Sequence, residues 1–318
     1  MADKFSRVHG FASKIPGMQE GIEKHLSDHP PGHESSVLGA MLRITEQTGI
    51  RPGNESSSGH DHRGLTTLEK KHVSVDGDKV AIRYTGKSGV PQEHEIEDPA
   101  VARVIKHLHG LPGDRMFQTP DGKGGHTPVT AAKLNSYFRG HVGKDHSVKD
   151  LRTHLATRLF SEAADKIGPP TDEKDADRKV RQAALEVAKV LGHKSEVARD
   201  HGAVSDHPEA QQHAASLRGE HLGGGRYAFP SKGERDQFVK KTGGQTVAKG
   251  EHRGSPVWEH EEQTSLDNYI DPTVVSFYRK GHTLTNNPDD AEQPLQKSKA
   301  REAAFAALLA RIHKKLKK

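Results

Sequence analysis

The chain has 318 residues, 31% of them hydrophobic and 5% aromatic, enough for a sizeable core but lean enough that some segments must be loops. Cysteine is absent, which excludes a disulfide framework and any thiolate nucleophile. The 48 Lys+Arg against 43 Asp+Glu leave a net charge of +5, a mildly basic balance compatible with a polyanionic partner.

Residues 4–50 read as helices. FASKIPGMQEGIEKHL forms one, and SSVLGAMLRITEQTG forms the next, capped by Ser35 or Ser36 and stopped at Gly49. RPGNESSSGHDHRG (51–64) is polar and glycine-rich, hence a loop. The period then shortens to two. Three antiparallel strands are predicted near 71–75, 79–85 and 91–97, joined by turns at Asp76-Gly77 and Gly86-Lys87-Ser88-Gly89. Helical periodicity returns from Pro99 to Leu111, breaks at the loop TPDGKGGHTPVT and resumes in AAKLNSYFRG.

In KDLRTHLATRLF, Leu151, Leu155 and Leu159 recur every four residues with Ala156 and Phe160 beside them, an amphipathic helix. DRKVRQAALEVAKVLGHKS is a further helix, stopped at Gly192. Residues 199–265 differ in composition, being rich in glycine, histidine and charge, with a strand–helix–strand pattern in RYAF, SKGERDQFVKKTG and QTVAKG. Core-type helices resume in SLDNYIDPTVVSFYRKG and AREAAFAALLARIHKKLKK, the last with a cationic end that suits the helix dipole. The expected fold is α+β and mainly α-helical, with a small three-stranded antiparallel sheet. No apolar run is long enough for a membrane span, and MADKFSRVHG lacks the core of a secretion signal, so a cytoplasmic chain is expected.

Arg152 poses a question, since it borders the apolar stripe of its helix. A lone arginine there packs its stem and extends its head to water. Other segments supply a reason to hold an anion. GIRPGNES and GLTTLEKKHV, then YTGKSGV, KDLRTHLAT, LGHKS and DNYIDPTVV, occur in that order. Together they resemble type IB DNA topoisomerases of the small bacterial and viral kind. KFSRVHGFASKIPGMQEGIEKHL resembles the first helices of that family's catalytic domain. The resemblance implies the tyrosine-recombinase/type IB topoisomerase catalytic fold over 1–198 and 266–318, with 199–265 an inserted segment or small subdomain.

The resemblance assigns catalytic roles to Arg51 of RPGNE, Lys87 of the hairpin GK, Arg152 of KDLRT, His193 after LG, and Tyr269 as nucleophile. It suggests DNA contacts for Lys149, Arg63 and His72, although a solvated face explains Arg63 and His72 equally well. The chemistry is coherent. Two arginine forks and an imidazole can stabilise a pentacoordinate phosphorane, the phosphoryl counterpart of an oxyanion hole. A phenol can attack phosphorus and conserve the bond energy in a phosphotyrosine. A hairpin lysine can protonate the departing 5′ oxygen. Among five tyrosines, Tyr84 falls on a strand, Tyr137 on an earlier helix, Tyr227 in the aberrant segment, and Tyr278 on the apolar stripe with Val274 and Val275. Tyr269, before Ile-Asp-Pro at a loop-to-helix junction, suits a nucleophile. His201, His207, His213 and His221 lack ligand spacing, so no metal site is expected there, and the resemblance implies no cofactor.

The sequence departs from the family in three ways. His193 and Tyr269 are normally near neighbours but here lie 76 residues apart, which implies an insertion of about 65–70 residues, tolerable because loop-closure cost grows logarithmically. The family's N-terminal β-rich clamp domain has no counterpart before residue 4, so looser DNA encirclement is expected. The aromatic residue often found after GNE is missing. The expected function is supercoil relaxation by transient nicking of one DNA strand, with duplex DNA as partner and a monomer as the working form. Two alternatives stand: a tyrosine recombinase or integrase, disfavoured by GLTTLEKKH, GKSG and the lysine at 149, and a DNA-binding remnant with impaired catalysis.

Overall fold

The computed structural model describes residues 11–53, 62–284 and 294–316. The chain divides into two compact units, one of Met1–His193 with Glu261–Lys318 and one of Lys194–His260.

The larger unit begins with α1 (Ile15–Asp28), which buries Ile15, Met18, Ile22 and Leu26 at helical spacing, and α2 (Glu34–Thr48). The cap of α2 is neither Ser35 nor Ser36. His33 Nδ1 accepts the Ser35 N–H at 3.2 Å. The Ser36 hydroxyl is turned away to the His25 and His29 carbonyls at the end of α1, at 3.2 and 3.4 Å. A three-stranded antiparallel sheet follows, β1 (Val73–Asp76), β2 (Lys79–Thr85) and β3 (Pro91–Glu97), in the order β1-β2-β3. The first strand starts later than its alternation suggests, because Lys70–His72 closes a 3-10 turn in which His72 Nδ1 accepts the Glu69 N–H at 3.0 Å. After α3 (Pro99–His109), the segment expected to be pure loop pairs with itself as β4 (Gln118–Pro120) and β5 (His126–Pro128).

Two apolar cores lie in this unit. One gathers α1, α2, the sheet, α3 and α4 (Ala131–Val142). The other gathers the end of α5 (Val148–Ile167), α6 (Glu173–Leu191), α10 (Pro272–Arg279) and α11 (Pro294–Leu316). Helix α5 runs between them: Val148 and Leu151 belong to the first core, Leu155, Ala156 and Phe160 to the second. Its start is fixed by a capping box in which Asp150 accepts the Ser147 N–H at 2.8 Å, an arrangement that contributes about 1 kcal/mol. Against its other face, Glu302 of α11 lies 2.8 Å from both His154 Nε2 and Arg158 Nε. Burial opposes that carboxylate's charge, but His154 and Arg158 hold it below the ordinary glutamate range. Among the described residues no helix is long and apolar enough to cross a membrane.

The smaller unit starts at Lys194, five residues before the shift in composition. Its two ends pair as an antiparallel ribbon of β6 (Lys194–Val197) and β11 (Val257–His260). Between them lies a four-stranded sheet of β7 (His201–Val204), β8 (Glu220–Gly223), β9 (Arg226–Phe229) and β10 (Gln245–Thr246), in the order β10-β7-β9-β8. Helices α7 (Ala210–Ser216) and α8 (Lys232–Thr242) pack on it around Ala203, Ala210, Ala214, Tyr227, Phe229 and Phe238. Many of its cations are already paired: Arg199 with Glu220, Arg218 with Glu234 and Glu259, Arg235 with Asp236, and Lys249 with Asp200.

Candidate active site

Arg152 answers for its place beside an apolar stripe. It is 4% exposed, yet well supplied with partners. Helices α2 and α6 both end on a left-handed glycine, Gly49 at φ 68° and Gly192 at φ 64°. Their terminal carbonyls converge on the guanidinium. Nη1 donates to Gly49 O, and Nη2 donates to Leu191 O at 2.8 Å. Two negative helix ends thus face one buried cation. Nη2 also lies 3.0 Å from His193 Nε2. Burial and the nearby Arg51 lower the Arg152 pKa to about 10, which still leaves it charged at neutral pH.

Arg51 is placed by a backbone crossing. Leu65 N donates to Arg51 O at 2.9 Å, and Thr66 N donates to Pro52 O at 2.8 Å. The crossing requires glycine at both contacts. Gly53 has φ 82°, and a Cβ on it would lie 2.9 Å from the Gly64 Cα. Asn54 and Glu55 of RPGNE lie outside the described residues.

Tyr269 terminates α9 (Glu262–Asn268), just before the Asp271 cap of α10. Thr157 of α5 clamps this junction: its Oγ1 accepts the Asp271 N–H at 3.1 Å, and its proton lies between Thr153 O at 3.0 Å and Tyr269 O at 3.3 Å. Tyr269 is 9% exposed, and its phenol accepts from Arg51 Nη2 at 3.3 Å. The Arg152 guanidinium carbon stands 5.0 Å from the ring centroid, and the His193 ring centroid is 4.8 Å away. Burial raises the phenol's pKa, but Arg152 and Arg51 outweigh it and bring the group down to about 8.

Tyr84 provides the internal control. The same two arginines favour its phenolate, but desolvation dominates and pushes it up to about 12. Tyr137 is tied to His25 Nδ1 at 2.6 Å, Tyr278 donates to Gly168 O at 2.8 Å, and Tyr227 is core in the smaller unit. Ultraviolet difference titration of the folded protein should therefore show one tyrosine ionising near pH 8. That step should vanish in Tyr269→Phe; a step retained in the variant would place the activated phenol elsewhere.

His193 is 4% exposed and follows α6 directly. Burial, then repulsion by Arg152 and Arg51, lower its pKa to about 3, so it is neutral at rest. Because a guanidinium only donates, Nε2 faces Arg152 as an acceptor. Nδ1 meets Ser265 Oγ at 2.9 Å.

The structure thus brings together Arg51, Arg152, His193 and Tyr269. Lys87 is exposed in a 3-10 turn at the tip between β2 and β3, where Ser88 takes φ 64°. No hydrogen bond joins it to the other four among the described residues. Arg63 is bound to Glu69 at 2.7 Å, and His72 accepts from the Glu69 backbone. Lys149 is exposed in the first turn of α5. Ser265, Thr157 and the Gly49 and Leu191 carbonyls escaped the sequence reading. Ser265, four residues before Tyr269 and hence one turn from it, was the one that spacing could have found.

The family model described as "Eukaryotic DNA topoisomerase I, catalytic core" matches residues 2–222, more than half of the chain. That span holds Arg51, Lys87, Arg152 and His193 but ends before Tyr269. DNA topoisomerase 1B of Acanthamoeba polyphaga mimivirus is 26% identical over 205 residues, which cover 62% of this chain and 61% of that protein. Two solved complexes of the XerH site-specific recombinase are similar at 17% identity. The pre-cleavage complex with difH covers 54% of this chain and 45% of that one, with a TM-score of 0.34. The post-cleavage complex with palindromic difH covers 57% and 45%, with a TM-score of 0.37.

Proposed function

The chain belongs to the family of the eukaryotic DNA topoisomerase I catalytic core, and from that membership we propose that it is a type IB DNA topoisomerase. It cleaves one strand of duplex DNA through a 3′-phosphotyrosine, lets the free end swivel, and reseals it. The observation that carries this reading is a buried tyrosine whose phenol accepts from Arg51 and lies beneath Arg152, with His193 alongside.

The steps follow from the groups. The Tyr269 phenol, its pKa lowered to about 8 by Arg152 and Arg51, gives its proton to solvent, and the phenolate Oη attacks phosphorus as the 5′ oxygen leaves. The phosphorane's added negative charge falls between the Arg51 and Arg152 forks, which do here what a divalent metal does elsewhere. His193, neutral at rest, takes a proton from solvent as the anionic phosphate enters. Its Nε2–H then donates to a non-bridging oxygen. Religation reverses the path, and since bond energy is conserved in the phosphotyrosine, no ATP is needed. On this reading the working form is a monomer on double-stranded DNA, in the cytoplasm.

Lys87 Nζ supplies the proton to the departing 5′ oxygen. Its exposed hairpin tip leaves it free to enter a groove of bound DNA. Lys87→Ala should slow single-turnover cleavage of an ordinary strand by about 10²–10⁴-fold. A strand with a 5′-bridging phosphorothiolate should be cleaved at nearly the wild-type rate, because a thiolate leaves without a proton. Equal defects on both substrates would remove Lys87 from this role.

Residues 194–260 are an insertion into the catalytic unit. Glu261 N donates to His193 O at 2.7 Å, so the two ends of the excursion adjoin. Replacing Lys194–His260 by a short Gly/Ser turn should leave a cooperatively folding chain that still forms the Tyr269 adduct. A folded product without adduct would make the insertion part of nucleophile positioning.

Incubation with negatively supercoiled plasmid in EDTA without ATP tests the function. Progressive relaxation is expected. Binding without relaxation would leave the chain a DNA-binding remnant, and joined products from two sites would make it a recombinase.

A further inference from the structure

Ser265 is fully buried on α9 and does two things at once. Its carbonyl accepts the Tyr269 and Ile270 N–H groups at 2.9 and 3.0 Å, which closes the turn that presents the nucleophile. Its hydroxyl lies 2.9 Å from His193 Nδ1. One residue therefore ties the nucleophile's turn to the imidazole ring, across 72 residues of sequence.

The opposite edge of that ring fixes the proton arrangement. Arg152 Nη2 has only hydrogen to offer, so Nε2, 3.0 Å away, presents its lone pair. A neutral ring must then carry its proton on Nδ1 and donate it to Ser265 Oγ. The ring is held at both edges, and its Nε2 edge faces the Arg152 guanidinium, where an anion would bind. A serine hydroxyl both accepts and donates, so it keeps Nδ1 satisfied through any change of protonation at the ring. An alanine would leave a buried imidazole nitrogen without a partner and free the ring to rotate.

We propose that Ser265 is a positioning residue: through Nδ1 it orients His193 so that Nε2 meets the scissile phosphate in register with Tyr269. This rests on the topoisomerase reading of the site, and it assigns to α9 a task beyond carrying the nucleophile.

A double-mutant cycle tests it. Single-turnover cleavage of a duplex oligonucleotide is measured for the wild type, Ser265→Ala, His193→Ala and the double variant. Ser265→Ala should lose about tenfold to a hundredfold in rate, the scale of one buried orienting hydrogen bond. The double variant should cleave as His193→Ala does, because Ser265 acts through the ring. Ser265→Thr, which keeps the hydroxyl, should recover most of the rate. An unchanged rate in Ser265→Ala, or the same loss repeated in the His193→Ala background, would overturn the proposal.

Nitrogen-15 spectroscopy of the histidine rings in the wild type gives a readout that needs neither activity nor a variant that folds. The His193 signals should report a protonated Nδ1 and a bare Nε2; the opposite tautomer would overturn the assignment. A wild type that forms no adduct at Tyr269 would sink the topoisomerase reading itself. A wild type that cleaves beside an equally active Ser265→Ala would sink only this inference.

Discussion

Tyr269→Phe should abolish the covalent protein–DNA adduct while leaving non-covalent DNA binding and folding nearly intact. The substitution removes one oxygen, and with it the only atom proposed to bond phosphorus. The loss in cleavage should exceed on the order of 10⁴-fold, the range in which losing an essential nucleophile falls. The fold should tolerate the change. The phenyl ring stays beside His193 and Arg152, and the Thr157 clamp acts on the backbone. The phenol hydrogen-bonds to Arg51, which is half-buried and can turn to water, and to Arg152, which keeps its two carbonyl partners, so the stability change should be about 1 kcal/mol. Gel-shift affinity, denaturant unfolding and denaturing-gel capture of the adduct check the three parts separately. A residual adduct mapped to Tyr84, Tyr227 or Tyr278 would move the nucleophile.

Arg152→Ala should fail on two counts, and the second marks it off from Arg51→Ala. Loss of one preorganised donor to the phosphorane should slow cleavage by about 10²–10³-fold in either variant. Arg152 also satisfies Gly49 O and Leu191 O, the ends of two helices. Alanine leaves both carbonyls buried and unpaired, a loss of about 2–6 kcal/mol at about 1–3 kcal/mol per group. Arg152→Lys keeps the charge but gathers its donors on one nitrogen in place of the planar fork, so it serves the two carbonyls less well and should fall between. Arg51→Ala should slow cleavage with little change in stability, since its side chain is half-buried. Urea unfolding beside single-turnover cleavage separates the effects. An Arg152→Ala protein as stable as wild type would show that the carbonyl clamp carries no weight.

Much of this was legible in the sequence because the signals are local. Alternating residues broken by Asp76-Gly77 and Gly86-Lys87-Ser88-Gly89 sufficed for the three-stranded sheet, and Gly49 and Gly192 marked helix ends by the conformation only glycine adopts cheaply. What was missed is non-local or lies below the resolution of periodicity. The strands Gln118–Pro120 and His126–Pro128 are three residues each and end in proline, so no alternation betrays them. The ribbon of β6 and β11 pairs Lys194 with His260, and no window on the sequence contains both. The α2 cap fell to His33 because the Ser36 hydroxyl is spent on α1's carbonyls, a choice made by tertiary packing. Within the site, the sequence pointed to side chains whose chemistry suits a phosphate. Backbone oxygens that hold a guanidinium carry no residue signature at all.

The polarity and identity of the covalent link decide whether Tyr269 is the nucleophile. A duplex oligonucleotide labelled at either end of the scissile strand is incubated with the protein in EDTA, trapped with denaturant and digested, and the DNA-linked peptide is sequenced. A 3′-phosphate joined to Tyr269 and a free 5′-hydroxyl on the released strand are expected. A 5′-linked adduct, a link to any other residue, or no adduct from a folded, DNA-bound protein would contradict this assignment.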